Sequence, residues 1–251
     1  MAIYLKEFST HQEYEQYING SDAILPNVSI CTTEGDVHYN PYVDPYAGHD
    51  YVEIGGLKWA TMNVGANSIT DTGLYFQWGD ISGYTADQVG SGEGQKYFGW
   101  IDYKYGNGTS DPGTTGMTKY NSTDGKTVLE ADDDSVIANW GGSWRMPTAA
   151  EFQALSGAVN TVWTTDYQGS GVAGLVCTDK TDSSKVLFFP ACGNCMDGSV
   201  RGVGSYGHYW SSSLTSGSVQ SAIRLLFRRD GTDWNSYNGR SDGFTVRGVV
   251  G

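Results

Sequence analysis

Apolar residues in this chain come in short runs between glycine-rich turns, and most of the runs read as strands. From Tyr51, YVEIGGLKWATMNVG reads as strand, Gly55-Gly56 turn and strand, and GLYFQWGD is a third apolar run. GLVCTD, KVLFFPACG, HYWSSS, AIRLLFRR and GFTVRGVV follow as further strands. One stretch breaks the series. In WGGSWRMPTAAEFQALSGAV, Thr148 stands as N-cap and Glu151 at the third helical position, the capping-box arrangement. Phe152 and Leu155 form the buried stripe of that helix. Residues 81–130 are loop-like and rich in Gly, Tyr, Thr and Asp. Loops of that length in a compact domain are functional or packed by their own aromatics. No tandem repeat or heptad is present. The pattern predicts an α+β fold of mostly antiparallel strands, two short helices and long loops.

Residues 1–48 read as a separate N-terminal segment. Ser9-Thr10 followed by Glu13 predicts a helix to about Ile18, stopped by Asn19-Gly20. AILPNVSICTTEGDVHYNP then predicts two short strands around Glu34-Gly35-Asp36, and DPYAGHD is a linker. So small a unit buries little surface alone, so it is expected to pack on the main domain, a neighbouring subunit or a larger assembly. The opening residues have no apolar core and no small-residue cleavage site, so no secretory signal is expected. No run approaches the roughly 18 apolar residues of a membrane span, so no membrane insertion is expected.

Composition sharpens this picture. At 251 residues with 39% hydrophobic residues, eight Trp and eight Phe, the chain can fill a globular core. The net charge of −13 argues against nucleic acid as partner. The charge is uneven. All eight Lys lie at or before Lys185, and all eight Glu at or before Glu151, whereas six of seven Arg lie at or after Arg201. Residues 186–251 hold six Arg and four Asp, a balance of +2, which leaves −15 for the rest.

Candidate chemistry is sparse. Cys192-Gly-Asn-Cys195 is a CxxC without a second CxxC, a paired His motif or a βαβ context, and reads as two loop thiols. Asp233-Trp234-Asn235 superficially matches the Trp-Asn-Asp calcium motif of sugar-binding lectins, but the order differs and a calcium ion needs about six to eight oxygens. ADDDS at 131–135 reads as a solvated loop. Trp140, Trp144, Trp210, Phe188, Phe189 and Phe244 read as core. Arg145 and Arg247, beside core residues, read as structural fixtures on buried acids or backbone carbonyls.

Taken in order, GLKWATMNVGA, YFQWGD, WGGSWRMPTAAEFQAL, LFFPACG, HYWSSS and GFTVRGVV resemble the paralogous-domain proteins of Fibrobacter and Bacteroidetes, over about residues 50–251. That group resembles the formylglycine-generating-enzyme branch of the C-type lectin fold. The chain looks most like one subgroup, the variable proteins of diversity-generating retroelements. In these, a reverse transcriptase miscopies template adenines and rewrites the C-terminal end of the gene. An AAC codon with both adenines randomised never yields Lys, Glu, Gln, Met or Trp. The loss of Lys after 185 and Glu after 151, with the late excess of Arg, has this form. The opening YLKEFSTHQEYEQYINGSDAILPNVSIC is also similar to the start of structural proteins of gut Bacteroidetes and their phages.

The resemblance implies a C-type lectin-like domain over 49–251 with a variable region at about 192–240. One set of ligand-contact residues is Arg228, Arg229, Asp230, Asp233, Asn235, Tyr237 and Asn238, set between AIRLLF and GFTV; on composition alone it is equally a solvated hairpin loop. A second set is Asn194, Asp197, Arg201, Tyr206 and His208, alternating with glycines. Arg224 joins them as an outward strand residue, since Ile223 and Leu225 alternate with it; it equally fits an ordinary exposed position. The function implied is non-enzymatic binding of a bacterial surface protein or glycan, with no catalytic residue, metal or cofactor. The N-terminal segment would join a virion, as part of a phage tail, or another bacterial surface assembly. Assembly as a homo-oligomer stays open. The alternatives are a cell-surface adhesin of the same fold that is not diversified, and a formylglycine-generating-type oxidase.

Overall fold

The chain divides into two units, Met1–Gly48 and His49–Gly251. The computed structural model describes residues 46–251, so the helix and strands expected within residues 1–45 lie outside the described residues. In the second unit, β1 (Tyr51–Ile54) and β2 (Leu57–Asn63) form a hairpin closed by Gly55-Gly56. Both glycines have positive φ, 63° and 82°, as a two-residue turn matched to strand twist requires. After a long irregular stretch come α1 (Ser135–Trp140) and α2 (Ala149–Ala158). Thr148 caps α2 as its sequence predicts. Its Oγ1 accepts from Glu151 N at 3.3 Å, and Glu151 Oε2 accepts from Thr148 N at 2.7 Å.

Strands β3 (Val159–Thr164), β4 (Gly174–Asp179) and β5 (Val186–Pro190) form one antiparallel sheet. A small hairpin follows, β6 (Asn194–Met196) with β7 (Ser199–Arg201). Then β8 (Tyr206–Thr215), β9 (Ser218–Arg228) and β10 (Gly231–Gly239) make a three-stranded meander with β10 at its edge. Finally β11 (Arg247–Val250) returns to pair with β2.

This corrects the expectation of an α+β, C-type lectin-like domain. Among the described residues there are eleven strands in small antiparallel sheets that do not close on one another, against two α-helices of six and ten residues. The fold is mostly β. Helix α1 and strand β3 were not read from the sequence. The run from Arg228 to Asn238 is also no loop, since most of it is the edge strand β10.

One core cluster joins most of these pieces. Phe152 and Leu155 of α2 pack with Trp59, Leu175, Phe189, Tyr209, Leu225, Phe227 and Val249, all buried. Burying each large side chain is worth about 1.5–3 kcal/mol. Trp144, Trp210, Phe188 and Phe244 are buried as expected, while Trp140 is half-buried. The two arginine fixtures also hold. Arg145 makes a two-pronged pair with Glu151, at 2.8 and 2.5 Å. Arg247, fully buried, donates to the carbonyls of Ala60, Thr61 and Phe188 and to Asn63 Oδ1 at 2.7–3.0 Å.

The long stretch is packed by its own aromatics. Tyr105 and Tyr120 lie edge to face at 5.7 Å, and Trp78 and Tyr120 at 5.1 Å. Their anchor is Asp133, which accepts hydrogen bonds from Tyr105, Tyr120, Lys104 and Lys119. Burial pushes the Asp133 carboxyl up, but these four donors outweigh it and hold it well below the usual carboxylate range. The neighbouring Asp134 caps α1 by accepting from Val136 N and Ile137 N, and it also takes Met146 N. The solvated loop expected at 131–135 is therefore a short 3-10 turn with Asp133 and Asp134 both buried.

Candidate functional site

Residues opposite one another in an antiparallel pair share a face. On β8 and β9, Tyr206 lies opposite Arg228, His208 opposite Leu226 and Trp210 opposite Arg224. On β10, Asp233 lies opposite Leu226, Ser236 opposite Arg224 and Asn238 opposite Ala222. Six of the sequence-selected residues therefore share one face: Tyr206, His208, Arg224, Arg228, Asp233 and Asn238. The other face carries Tyr209, Leu225 and Phe227 into the core.

Exposure rises along the shared face. Trp210 and Arg224 are buried, His208 is buried, and Tyr206, Arg228 and Asp233 are exposed. Arg229 and Asp230 extend the open end as the exposed turn after β9, where Arg228 Nε pairs with Asp230 at 2.9 Å. A bulge interrupts β10, because Trp234 and Asn235 together lie opposite the single residue Leu225. Beyond it, Tyr237 lies opposite Ile223 and so on the other face of the ribbon, 62% exposed. Asn235 is exposed at the bulge itself.

Asn194, Asp197 and Arg201 are brought to the same end by the β6–β7 hairpin. Gly193 N donates to Tyr206 O at 2.7 Å and Tyr206 N to Gly202 O at 2.9 Å, so the hairpin abuts the first residue of β8. Asp197 and Arg201 are exposed and Asn194 is half-buried.

Two expected surface contacts are corrected. Arg224 and His208 are 9% and 8% exposed. Strand alternation places Arg224 opposite in sense to Leu225, but Phe244 lies over that face. Phe244 stacks on His208 at 4.9 Å between ring centroids, and the Arg224 guanidinium sits 4.9 Å from the Phe244 centroid. Arg224 Nη1 donates to His208 Nδ1, which fixes that nitrogen as the acceptor. Burial, then the Arg224 charge, push His208 down to about 3, so it is a neutral imidazole at physiological pH. Burial lowers Arg224 itself to about 10, against the pull of Asp242 and Asp233. Arg224 Nε has no hydrogen-bond partner.

The sequence reading missed Asp242. It is 7% exposed and accepts a hydrogen bond from Asn238 Nδ2. Burial pushes Asp242 up to about 7, with Arg224 and Arg201 opposing and Asp197 reinforcing. The available signal was its isolation, since it is the only acid in GRSDGFTVRGVVG.

Cys177, Cys192 and Cys195 are free and buried, and burial pushes all three thiols up. Cys192 and Cys195 belong to two different core clusters. Among the described residues no group of three or more His, Cys, Asp or Glu is placed to hold a metal ion. What the arrangement offers is a rim of exposed Arg, Asp, Asn and Tyr on a floor of buried, mutually packed polar groups. Comparison with family models, curated proteins and solved structures found no match.

Proposed function

We propose that the chain is a non-enzymatic binding protein whose contact surface is the open end of the β8–β10 sheet with the β6–β7 hairpin. Its ligand is a bacterial surface protein or glycan, met from a phage tail or a bacterial surface assembly. One observation carries the reading. Tyr206, Arg228, Arg229, Asp230, Asp233 and Asn235 are exposed, and Tyr237 is exposed on the other face of the ribbon, whereas Ser241–Val249 are buried without interruption. Tyr, Arg, Asn and Asp supply stiff amphipathic area and adaptable hydrogen bonds, the composition of exchangeable binding surfaces. The surface belongs to the variable region of a diversity-generating retroelement, as the resemblance and the late loss of Lys and Glu imply. His208, Arg224 and Asn238 serve as the floor.

Sequencing the 3′ end of the gene across many related genomes tests this. Substitutions should fall on adenine-bearing codons of the exposed set and spare codons 241–249. Variation spread evenly over both sets, with no preference for adenines, would sink the reading.

A further inference from the structure

A cavity of about 300 Å³ opens beside Asp242, with Tyr97, Trp100, Ile101, Met196 and Asp197 among its walls. None of its lining side chains is basic, and neither Asp197 nor Asp242 forms an ion pair among the described residues. Asn238 occupies Asp242 Oδ2, and no protein donor meets Oδ1. The lining also has an apolar part. Ile101 is 58% exposed, and an edge-to-face contact with Tyr103 at 5.4 Å orients the Trp100 ring. The walls are tied together, since Asp197 N donates to Phe98 O at 3.2 Å and Gly198 N to Tyr97 O at 2.5 Å. A preformed site of this kind loses little entropy on binding.

Arg224 and Arg201 act on Asp242 from outside the lining and form no ion pair with it, so two carboxyl groups with no base in the cavity call for a cation. A calcium ion needs about six to eight oxygens, and among the described residues no group of three or more His, Cys, Asp or Glu could hold a metal ion. An organic cation with an apolar stem fits both parts of the lining, because ammonium and guanidinium groups favour carboxylates and aromatic faces while methylenes favour Ile and Met. We propose that this cavity binds a lysine or arginine side chain of a partner protein, its charge facing Asp197 and Asp242 and its stem against Trp100 and Ile101. The inference rests on the reading of this end of the molecule as a ligand-contact surface, and it narrows the ligand to a protein.

The groups facing Asp242 are Arg224 on β9, Asn238 on β10, and Asp197 and Arg201 on the hairpin. With Asp242 titrating at about 7, a cation binds its ionised form, so affinity rises about tenfold from pH 6 to pH 8.

The test is an NMR titration of the full chain with Nα-acetyl-lysinamide, Nα-acetyl-argininamide, the neutral Nα-acetyl-norleucinamide and glucosamine. Shifts should move at the Trp100 indole N–H and the Met196 methyl with a basic probe. The norleucine probe should bind at least about tenfold more weakly. Asp242→Asn should weaken the basic probe about tenfold or more, and Asp197→Asn, at an exposed position that leaves folding intact, should weaken it severalfold. Equal binding of the norleucine probe, silence at Trp100, or no loss in Asp197→Asn would overturn the proposal. Tighter binding of glucosamine than of either amino-acid probe would overturn the assignment to a protein partner. A silent titration leaves the codon pattern untouched, and an unpatterned codon survey leaves the cavity untouched, so the two readings fail separately.

Discussion

At the scale of single residues, the late arginines divide into two kinds that composition cannot separate. Arg247 is buried and bonded to three carbonyls and one amide oxygen, with no carboxylate beside it. Removing it strands those acceptors in the core at about 1–3 kcal/mol each. Arg247→Ala is therefore expected to lower unfolding free energy in urea by about 3 kcal/mol or more. Arg228 sits at the exposed tip with a surface pair to Asp230, and Arg228→Ala should change stability by less than about 0.5 kcal/mol. If the two substitutions cost the same, the division into frame and display is wrong. The neighbouring core residues made Arg247 legible as a fixture. Arg224 was misread because alternation reports which face a side chain takes, and nothing local reports that Phe244, twenty residues on in the chain, lies over it.

Elements were legible where the signal is local and lost where it depends on neighbours. The capping box of α2 stands in the sequence, and so do the turn glycines of the β1–β2 hairpin. Glu151→Ala removes both the cap acceptor and the Arg145 pair, and an expected loss of about 1–2 kcal/mol should appear as a lower urea midpoint. Helix α1, at six residues, is too short for a period to show, and Asp134 holds its first turn from a segment read as solvated. The edge strand β10 looked like a loop because its polar residues lie on both sides of a bulge. The sheet that positions the site also depends on a single missing side chain. A Cβ on Gly207 would lie 1.9 Å from the Phe227 ring, which is itself in the core. Gly207→Ala must displace that ring and should destabilise by at least about 1–3 kcal/mol. A variant as stable as the parent would mean that β8 and β9 do not pair in this register.

For the molecule as a whole, two buried acids set opposite pH dependences. Asp133 is held below the usual carboxylate range, so the stability it contributes is present near neutrality and lost as the solution becomes strongly acidic. Asp242 is raised to about 7, and its sign is reversed. Between the ordinary carboxylate range and pH 7 the folded chain holds a proton that the unfolded chain has released. Stability from this group is thus fully present below the ordinary carboxylate range and is lost as pH rises through about 7. Between pH 5.5 and 8 the loss amounts to about 2 kcal/mol. Asp242→Asn keeps the shape of the protonated group and cannot ionise, so it should abolish that share of the slope and be more stable than the parent at pH 8. Urea denaturation of both proteins at the two pH values decides it. A parallel slope in the variant would mean that the Asp242 carboxylate stands in water and is not raised by burial.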